Sequence, residues 1–228
     1  MNKQPVVNPS LRNQQEWDRL YKSTDSLIWG SQPLPFVTSF IDKNLHSFNE
    51  NTKILDAATG EGRNLSVLEN LCAQLFACDS SYCALKKINK NTNKMPNLAL
   101  CDLRKTPYKD YSFNYIFLTD TIETLLDLNS VFSELYRILS IDGMILCNIP
   151  GMEDGISSID MTPLGEKQFL YKDKFFYHFY DEEKSLKLFH KHSLNTIYNE
   201  INTWEEAPHP NFRDKIHTHT SRIFVLQK

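Results

Sequence analysis

The sequence predicts an α/β protein, a single domain with a doubly wound, mostly parallel sheet. Two observations carry this. Short apolar runs alternate with segments of helical spacing from about residue 53 to 149, the rhythm of repeated strand–helix–strand units. The first of those runs, Lys53-Ile54-Leu55-Asp56-Ala57-Ala58, passes directly into Thr59-Gly60-Glu61-Gly62 and then into a helical segment. The composition agrees. A chain of 228 residues with 41% apolar and 23% charged side chains can bury a full core and is neither disordered nor fibrous.

Each element follows in order. Residues 1–50 are a polar lead-in, expected as an N-terminal helical arm or lid. Within it, 13–21 has Trp17, Leu20 and Tyr21 at helical spacing. Pro33 and Pro35 are expected to stop any helix in the turn 29–35, and 37–45 reads as a second short helix. Strands are expected at 53–58, 75–79, 98–101, 115–119 and 144–149, with helices at 64–71, 81–89 and 131–139. Pro150-Gly151 ends the last of these strands. Residues 151–174 read as irregular and 175–180 as an aromatic run. A helix at 181–192 turns Leu186 and Phe189 inward. Strands at 196–204 and 222–227 flank a loop at 205–221. With no repeat, low-complexity block or linker, 51–228 forms one domain with an insertion around 151–180.

Charge and cysteines narrow the function. Lys plus Arg is 25 and Asp plus Glu 28, a formal net charge of −3. No basic field exists to hold a nucleic acid. Five cysteines without a Cys-x-x-Cys pair read as reduced thiols of a cytoplasmic protein. The start lacks an apolar signal segment, and no apolar run is long enough to span a membrane.

The strongest local signal is Asp56-Ala57-Ala58-Thr59-Gly60-Glu61-Gly62. Glycines at a strand end let backbone approach a ligand, and the following helix points N–H groups into the same space. The chain has only 7 glycines, about 3% against an average of about 7%, so two of them one residue apart at this strand end carry weight. Asp79 ends the next strand about 20 residues later, where a carboxylate can accept from ribose hydroxyls. A pyrophosphate-binding turn would want a third glycine, whereas Asn64 and Leu65 follow Gly62. Asp56 and Glu61 would repel a pyrophosphate but suit a ligand with positive charge, and S-adenosylmethionine carries a sulfonium and an ammonium.

These residues resemble a family. Ile54 to Gly62 looks like motif I of class I S-adenosylmethionine-dependent methyltransferases. Cys78-Asp79-Ser80-Ser81 resembles the acidic ribose motif. Cys101-Asp102-Leu103, then Pro107 and Ser112-Phe113-Asn114-Tyr115-Ile116, resembles the adenine motif and fourth strand. Glu134-Leu135-Tyr136-Arg137-Ile138-Leu139, then Gly143, resembles the helix and turn before the fifth strand. Trp17, Tyr21, Trp29-Gly30 and the turn Gly60 to Asn64 look like the small-molecule branch of tellurite-resistance and thiopurine methyltransferases. Ala58 departs from the family's first glycine, Asn114 from a common Asp, and Ile141-Asp142 from a common Pro-Gly.

The resemblance implies a Rossmann-like sheet of seven strands with the last antiparallel and helices on both faces. It implies methyl transfer from S-adenosylmethionine to a small-molecule acceptor by in-line displacement. Asp56, Ala58, Gly60 and Gly62 would lie along the methionine and ribose, and Asp79, with Ser80 beside it, on the ribose hydroxyls. Asp102 and the Leu103 N–H would meet the adenine, and the Thr119 carbonyl the methionine ammonium. Arg63 would pair with the methionine carboxylate or stand exposed at a helix start. Trp29 would stack near the sulfonium or anchor the arm. Catalytic candidates over the strand ends are Asp120, Tyr177 and His219, with Glu123 and His217 as alternates. His217-Thr218-His219 has metal-like spacing, but no local Cys or carboxylate cluster supports it, so no metal is expected. Two other readings stay open: a synthase or cyclase on the same fold that releases methylthioadenosine, and a non-catalytic binding protein with a decayed pocket. The chain is expected as a monomer or homodimer.

Overall fold

The computed structural model describes residues 9–158 and 160–228; residues 1–8 of the expected arm lie outside them. The chain runs α1 (Pro9–Lys22), α2 (Pro35–Asn44), β1 (Lys53–Ala57), α3 (Leu65–Leu68), β2 (Gln74–Asp79), α4 (Tyr82–Leu85), β3 (Asn97–Leu100) and β4 (Phe113–Leu118). It continues α5 (Leu128–Ile138), β5 (Leu139–Pro150), β6 (Met161–Gly165), β7 (Gln168–Tyr171), β8 (Phe175–His178), α6 (Glu182–Lys191), β9 (Asn195–Glu206) and β10 (His217–Gln227). The main sheet has seven strands in the order β3-β2-β1-β4-β5-β10-β9. β10 is antiparallel to both its neighbours, and the other six strands run one way. The expected α/β class and sheet direction hold. The strand order reverses between β1 and β4, and their C-terminal ends open the crevice where this class of fold binds ligands.

Alternation along the buried strands makes two cores. Ile54 and Phe117 face α2, α3 and Leu65 on one side. Leu55, Ile116 and Leu118 face Phe132, Leu135 and Phe189 of α5 and α6 on the other. The two edges are less covered. β3 is mostly exposed along its length, and β9 shows solvent Ile197 and Ile201.

Several elements depart from expectation for identifiable reasons. Pro35 opens α2 rather than stopping it, because the first helical turn needs no N–H from proline. α3 closes after one turn, where Asn70 Nδ2 donates to the Ser66 carbonyl at 2.8 Å in place of a further backbone donor. α4 is equally short, capped by the Ser81 hydroxyl accepting from the Ala84 N–H. β9 and β10 are longer than expected, with His217 opposite Glu206, and the loop between them shrinks to 207–216. Their outer halves carry paired polar residues such as Thr203 and Thr220, which read as loop. The stretch expected to be irregular folds into an antiparallel sheet, β6-β7-β8. Its turns use Lys167, Lys172 and Asp173 at positive φ, without the glycine that marks most such turns.

The arm is stapled to the sheet through buried polar groups. Glu61 lies in the turn after β1, and its side chain is fully enclosed. One carboxylate oxygen takes the Lys87 ammonium at 2.8 Å. The other takes the backbone N–H groups of Ile28 at 2.7 Å and Trp29 at 3.3 Å. Lys87 reaches on to the Ser26 carbonyl at 3.1 Å. Glu61 was expected to face a cationic ligand; it faces inward because Lys87 and the arm satisfy it. Asn13 of α1 donates to the Thr124 carbonyl at 2.8 Å and accepts from the Phe176 N–H at 3.0 Å. It thereby joins the arm, the segment after β4 and the small sheet. Leu20, Tyr21, Ile28, Tyr171, Phe175 and Phe212 form the apolar cluster beneath.

Glu61→Ala leaves Lys87 buried and unpaired and should cost about 3–5 kcal/mol in urea unfolding; a loss under about 1 kcal/mol would show that the staple does not hold the arm. Ala58 sits at φ +55°, a left-handed conformation that costs an L-residue about 1–2 kcal/mol. Ala58→Gly should therefore be neutral or stabilising by up to about 1 kcal/mol, after the entropy glycine adds to the unfolded chain. Ala84→Gly inside α4 should lose at least about 1 kcal/mol. Thermal unfolding of the two variants checks the contrast.

Candidate active site

β1 delivers the chain into the glycine turn at the mouth of the crevice. The Gly60 N–H donates to Asp79 Oδ2 at 2.8 Å, and the Ser81 N–H to Asp79 Oδ1 at 2.7 Å. Each carboxylate oxygen keeps a second lone pair for a ligand hydroxyl. Burial pushes the Asp79 carboxyl up, and the Ser81 and Gly60 N–H groups partly offset it. Gly60 has φ +56°, and a Cβ there would meet Tyr21 Oη at 2.8 Å. Tyr21 also accepts from Trp29 Nε1 at 2.9 Å, and burial with the Asp79 charge keeps its phenol protonated.

A cavity of about 220 Å³ opens over this turn. Its walls bring together Trp29, Ala58, Gly60, Arg63, Asp79, Ser80, Asp102, Leu103 and Thr119 with Asp120, Tyr177 and His219. Asp56 and Gly62, expected against the ligand, stand behind the wall. Asp56 accepts from the Thr59 hydroxyl at 2.5 Å, and burial pushes its carboxyl up to about 7. Gly62, at φ +80°, leaves room for Leu65, whose Cδ1 would lie 2.6 Å from an added Cβ. Its glycine serves packing.

The cofactor-side candidates have defined partners. Asp102 is held by Arg104, with Nη2 at 2.5 Å and Nε at 3.0 Å from its oxygens, and this keeps its carboxyl below the usual range. Thr119 Oγ1 accepts from Asn64 Nδ2 at 3.1 Å, and the Asn64 Oδ1 takes the Leu34 N–H at 3.0 Å. The Thr119 carbonyl accepts from the Thr121 hydroxyl at 2.8 Å. Arg63 is neither free nor exposed. It donates to the Gln32 carbonyl and lies 3.0 Å from Glu206 and 3.9 Å from Asp120. Trp29 packs edge-on to His209 and Phe212.

On the far side, Asp120 takes a left-handed backbone at φ +47°. Asn148 clamps it at both ends, accepting from its N–H at 2.8 Å and donating to its carboxylate at 2.7 Å. Its side chain opens on the cavity, and burial raises its pKa against the His219 charge. Glu123 is pushed well up by burial and by Asp120. Tyr177 is pushed well up by burial and by the carboxylates of Glu123, Asp154 and Asp120. His219 Nδ1 faces Asp154 Oδ2 at 3.2 Å. Burial would lower its pKa, but the Asp154 hydrogen bond and charge outweigh it. His217 is pushed down to about 4 by burial. Glu206, Asp154, His209 and Arg213 also line the wall and were not singled out; the only signal was their position in the insertion around 151–180 and the loop at 205–221.

Residues 55–147 match the family model described as a methyltransferase domain. A demethylmenaquinone methyltransferase from Streptomyces avermitilis is 30% identical over 94 residues, a match covering 41% of this chain and 40% of that relative's length. Among solved structures, the Burkholderia thailandensis 1,6-didemethyltoxoflavin N1-methyltransferase, with 1,6-didemethyltoxoflavin and S-adenosylhomocysteine bound, superposes with a TM-score of 0.70 at 11% identity, over 100% of this chain and 93% of that one. A methyltransferase from Anabaena variabilis gives a TM-score of 0.70 at 15% identity, over 99% and 97%. The likeness in structure establishes the fold. Residues 55–147 thus resemble a methyltransferase domain, and the seven-stranded sheet of this order, with its glycine turn bonded to the acid at the end of β2, has the fold of these solved methyltransferase structures.

Proposed function

We propose that this protein transfers a methyl group from S-adenosylmethionine to a small-molecule acceptor. The observation that carries the reading is the Gly60–Asp79 hydrogen bond in the wall of the cavity over the glycine turn. The residues fit the group. Gly60 tolerates no side chain against Tyr21. Trp17 Nε1, Glu123 Oε2 and Arg213 Nη1 are buried polar atoms without a partner, and all three residues line this cavity. Such orphans are what a polar ligand satisfies.

When bound, S-adenosylmethionine supplies an electrophilic methyl on a sulfonium. Asp79 then accepts from the ribose hydroxyls with its spare lone pairs, beside Ser80. Asp102 and Leu103 flank the adenine, with Arg104 fixing the Asp102 carboxylate. Thr119 and Ala58 border the methionine portion, and Trp29 offers a ring face toward the positive charge. The chain's main contribution is orientation and exclusion of water, which can contribute about 7–11 kcal/mol. On the acceptor side, Tyr177 stays protonated and serves as a hydrogen-bond donor. Asp120, held at both ends by Asn148, is the positioned base for an acceptor that must lose a proton. His219 stands opposite, anchored by Asp154. The N-terminal arm and the β6–β8 sheet act as the lid and acceptor wall.

No helix among the described residues is long and apolar enough to cross a membrane. All five cysteines are free thiols, which fits a reducing, cytoplasmic setting.

Calorimetry with S-adenosylmethionine and S-adenosylhomocysteine tests the reading. Wild type should bind both. Asp79→Ala should weaken binding by about 10- to 100-fold, since each hydrogen bond to a charged group is worth about 1.5–3 kcal/mol. Absence of wild-type binding, or equal affinity in the variant, would overturn the assignment. In turnover with extracts as acceptor source, mass spectrometry should find S-adenosylhomocysteine. Methylthioadenosine would instead mark a synthase or cyclase.

A further inference from the structure

We propose that Glu206, His209, His217 and His219 form a binding site for one divalent transition-metal ion, of the class that imidazole prefers, such as Zn²⁺. The sequence reading expected no metal, because His217-x-His219 had no cluster beside it in the chain. The fold supplies one. The β9–β10 register sets His217 opposite Glu206, and an isolated bridge between His209 and Arg213 curls the intervening loop back over them.

The four side chains present one ligand atom each, all within 4.8 Å of one another. His209 Nε2 lies 2.9 Å from Glu206 Oε2, His217 Nε2 lies 3.1 Å from His219 Nε2, and His219 Nε2 lies 4.0 Å from Glu206 Oε2. A tetrahedral ion with bonds of about 2.0–2.1 Å has ligand–ligand edges of about 3.3 Å. These spacings bracket that value.

What surrounds the four atoms matters more than their closeness. Each imidazole is held through its other nitrogen. His209 Nδ1 meets the Ile28 carbonyl at 3.1 Å, His217 Nδ1 the Lys215 carbonyl at 2.9 Å, and His219 Nδ1 the Asp154 carboxylate at 3.2 Å. A carbonyl or carboxylate only accepts, so each Nδ1 keeps its proton, and each Nε2 is the atom left to ligate once an ion displaces the protons shared between the Nε2 atoms and with Glu206. Metal-ligating histidines are oriented in this way. The fourth ligand follows the same logic. Glu206 Oε1 takes the Trp204 indole N–H at 2.8 Å and lies 3.0 Å from Arg63 Nη1, and Oε2, which the same Arg63 nitrogen reaches at 3.3 Å, faces the histidines. The wall around them sets the carboxylates of Asp120 and Asp154 against the guanidiniums of Arg63 and Arg213, so Glu206 adds the one uncompensated negative charge among these groups.

The bound ion would tie the β9–β10 hairpin to its loop and, through His209 and Ile28, to the arm. The inference does not rest on the methyl-transfer reading.

The test uses the full chain, stripped with a chelator, dialysed against metal-free buffer and loaded with Zn²⁺ or Co²⁺. Elemental analysis should find one ion per chain after dialysis. The Co²⁺ form should show the visible absorption of a four- or five-coordinate nitrogen–oxygen site, and metal should raise the unfolding midpoint. His217→Ala and His219→Ala should each weaken metal binding by about 100-fold or more, with metal-free unfolding midpoints near wild type. The wild-type stoichiometry and Co²⁺ spectrum stand independently of the variants. Metal well below one ion per chain in the wild type, or wild-type affinity in His217→Ala, would overturn the proposal. S-adenosylmethionine binding is read separately, so failure of one reading leaves the other intact.

Discussion

A carboxylate sealed from water is the constraint around which this molecule is assembled. Glu61 sits in the middle of the ligand-facing turn, yet its charge is answered from behind by Lys87 and from above by two backbone N–H groups of the arm. Removing a charge from water is costly unless every oxygen finds a partner. The turn, the segment after α4 and the arm must therefore arrive together. The Asn91 side chain reinforces the junction, donating to the Glu61 carbonyl at 2.9 Å and to the Gly30 carbonyl at 3.3 Å. The conformation of Gly60, and with it the position of the N–H on Asp79, is set by this inward anchoring.

The parallel strands were legible because both their faces are buried, which writes them as apolar runs such as Ile54-Leu55 and Ile116-Phe117-Leu118. Gly60 and Asp79 were legible because backbone chemistry demands those residue types at that place. Other features left no local trace. Nothing around Glu61 says which side of the turn it takes, since Lys87 is 26 residues away. Gly62 carries the same glycine signal as Gly60 but answers to Leu65 rather than to a ligand. The β6–β8 sheet escaped notice because lysines and an aspartate occupy its left-handed turn positions. The gathering of Glu206 with three histidines depends on hairpin register, which spacing along one strand does not reveal.

The cavity draws its two halves from different sources. The side under Asp79, Asp102 and Thr119 comes from the strands and turns of the matched region. The side that bears Tyr177, Arg213 and His219 comes from the small sheet and the closing hairpin, beyond residue 147. Asp120 and Asn148 sit at the seam, one on each of two neighbouring strand ends. The fold is shared at 11–15% identity, and one side of the cavity lies within the matched region while the other lies outside it.

The thin outer strand β3 has a dynamic consequence. With little apolar cover and only the single-turn α4 and its extension nearby, this margin has the features of a region that opens readily in sub-global fluctuations. The Asp102 end of the crevice rests on it. Occupancy there would damp that breathing, so part of the free energy of capture would be spent on ordering a loose rim, and the protein would be tighter at its periphery when loaded than when empty.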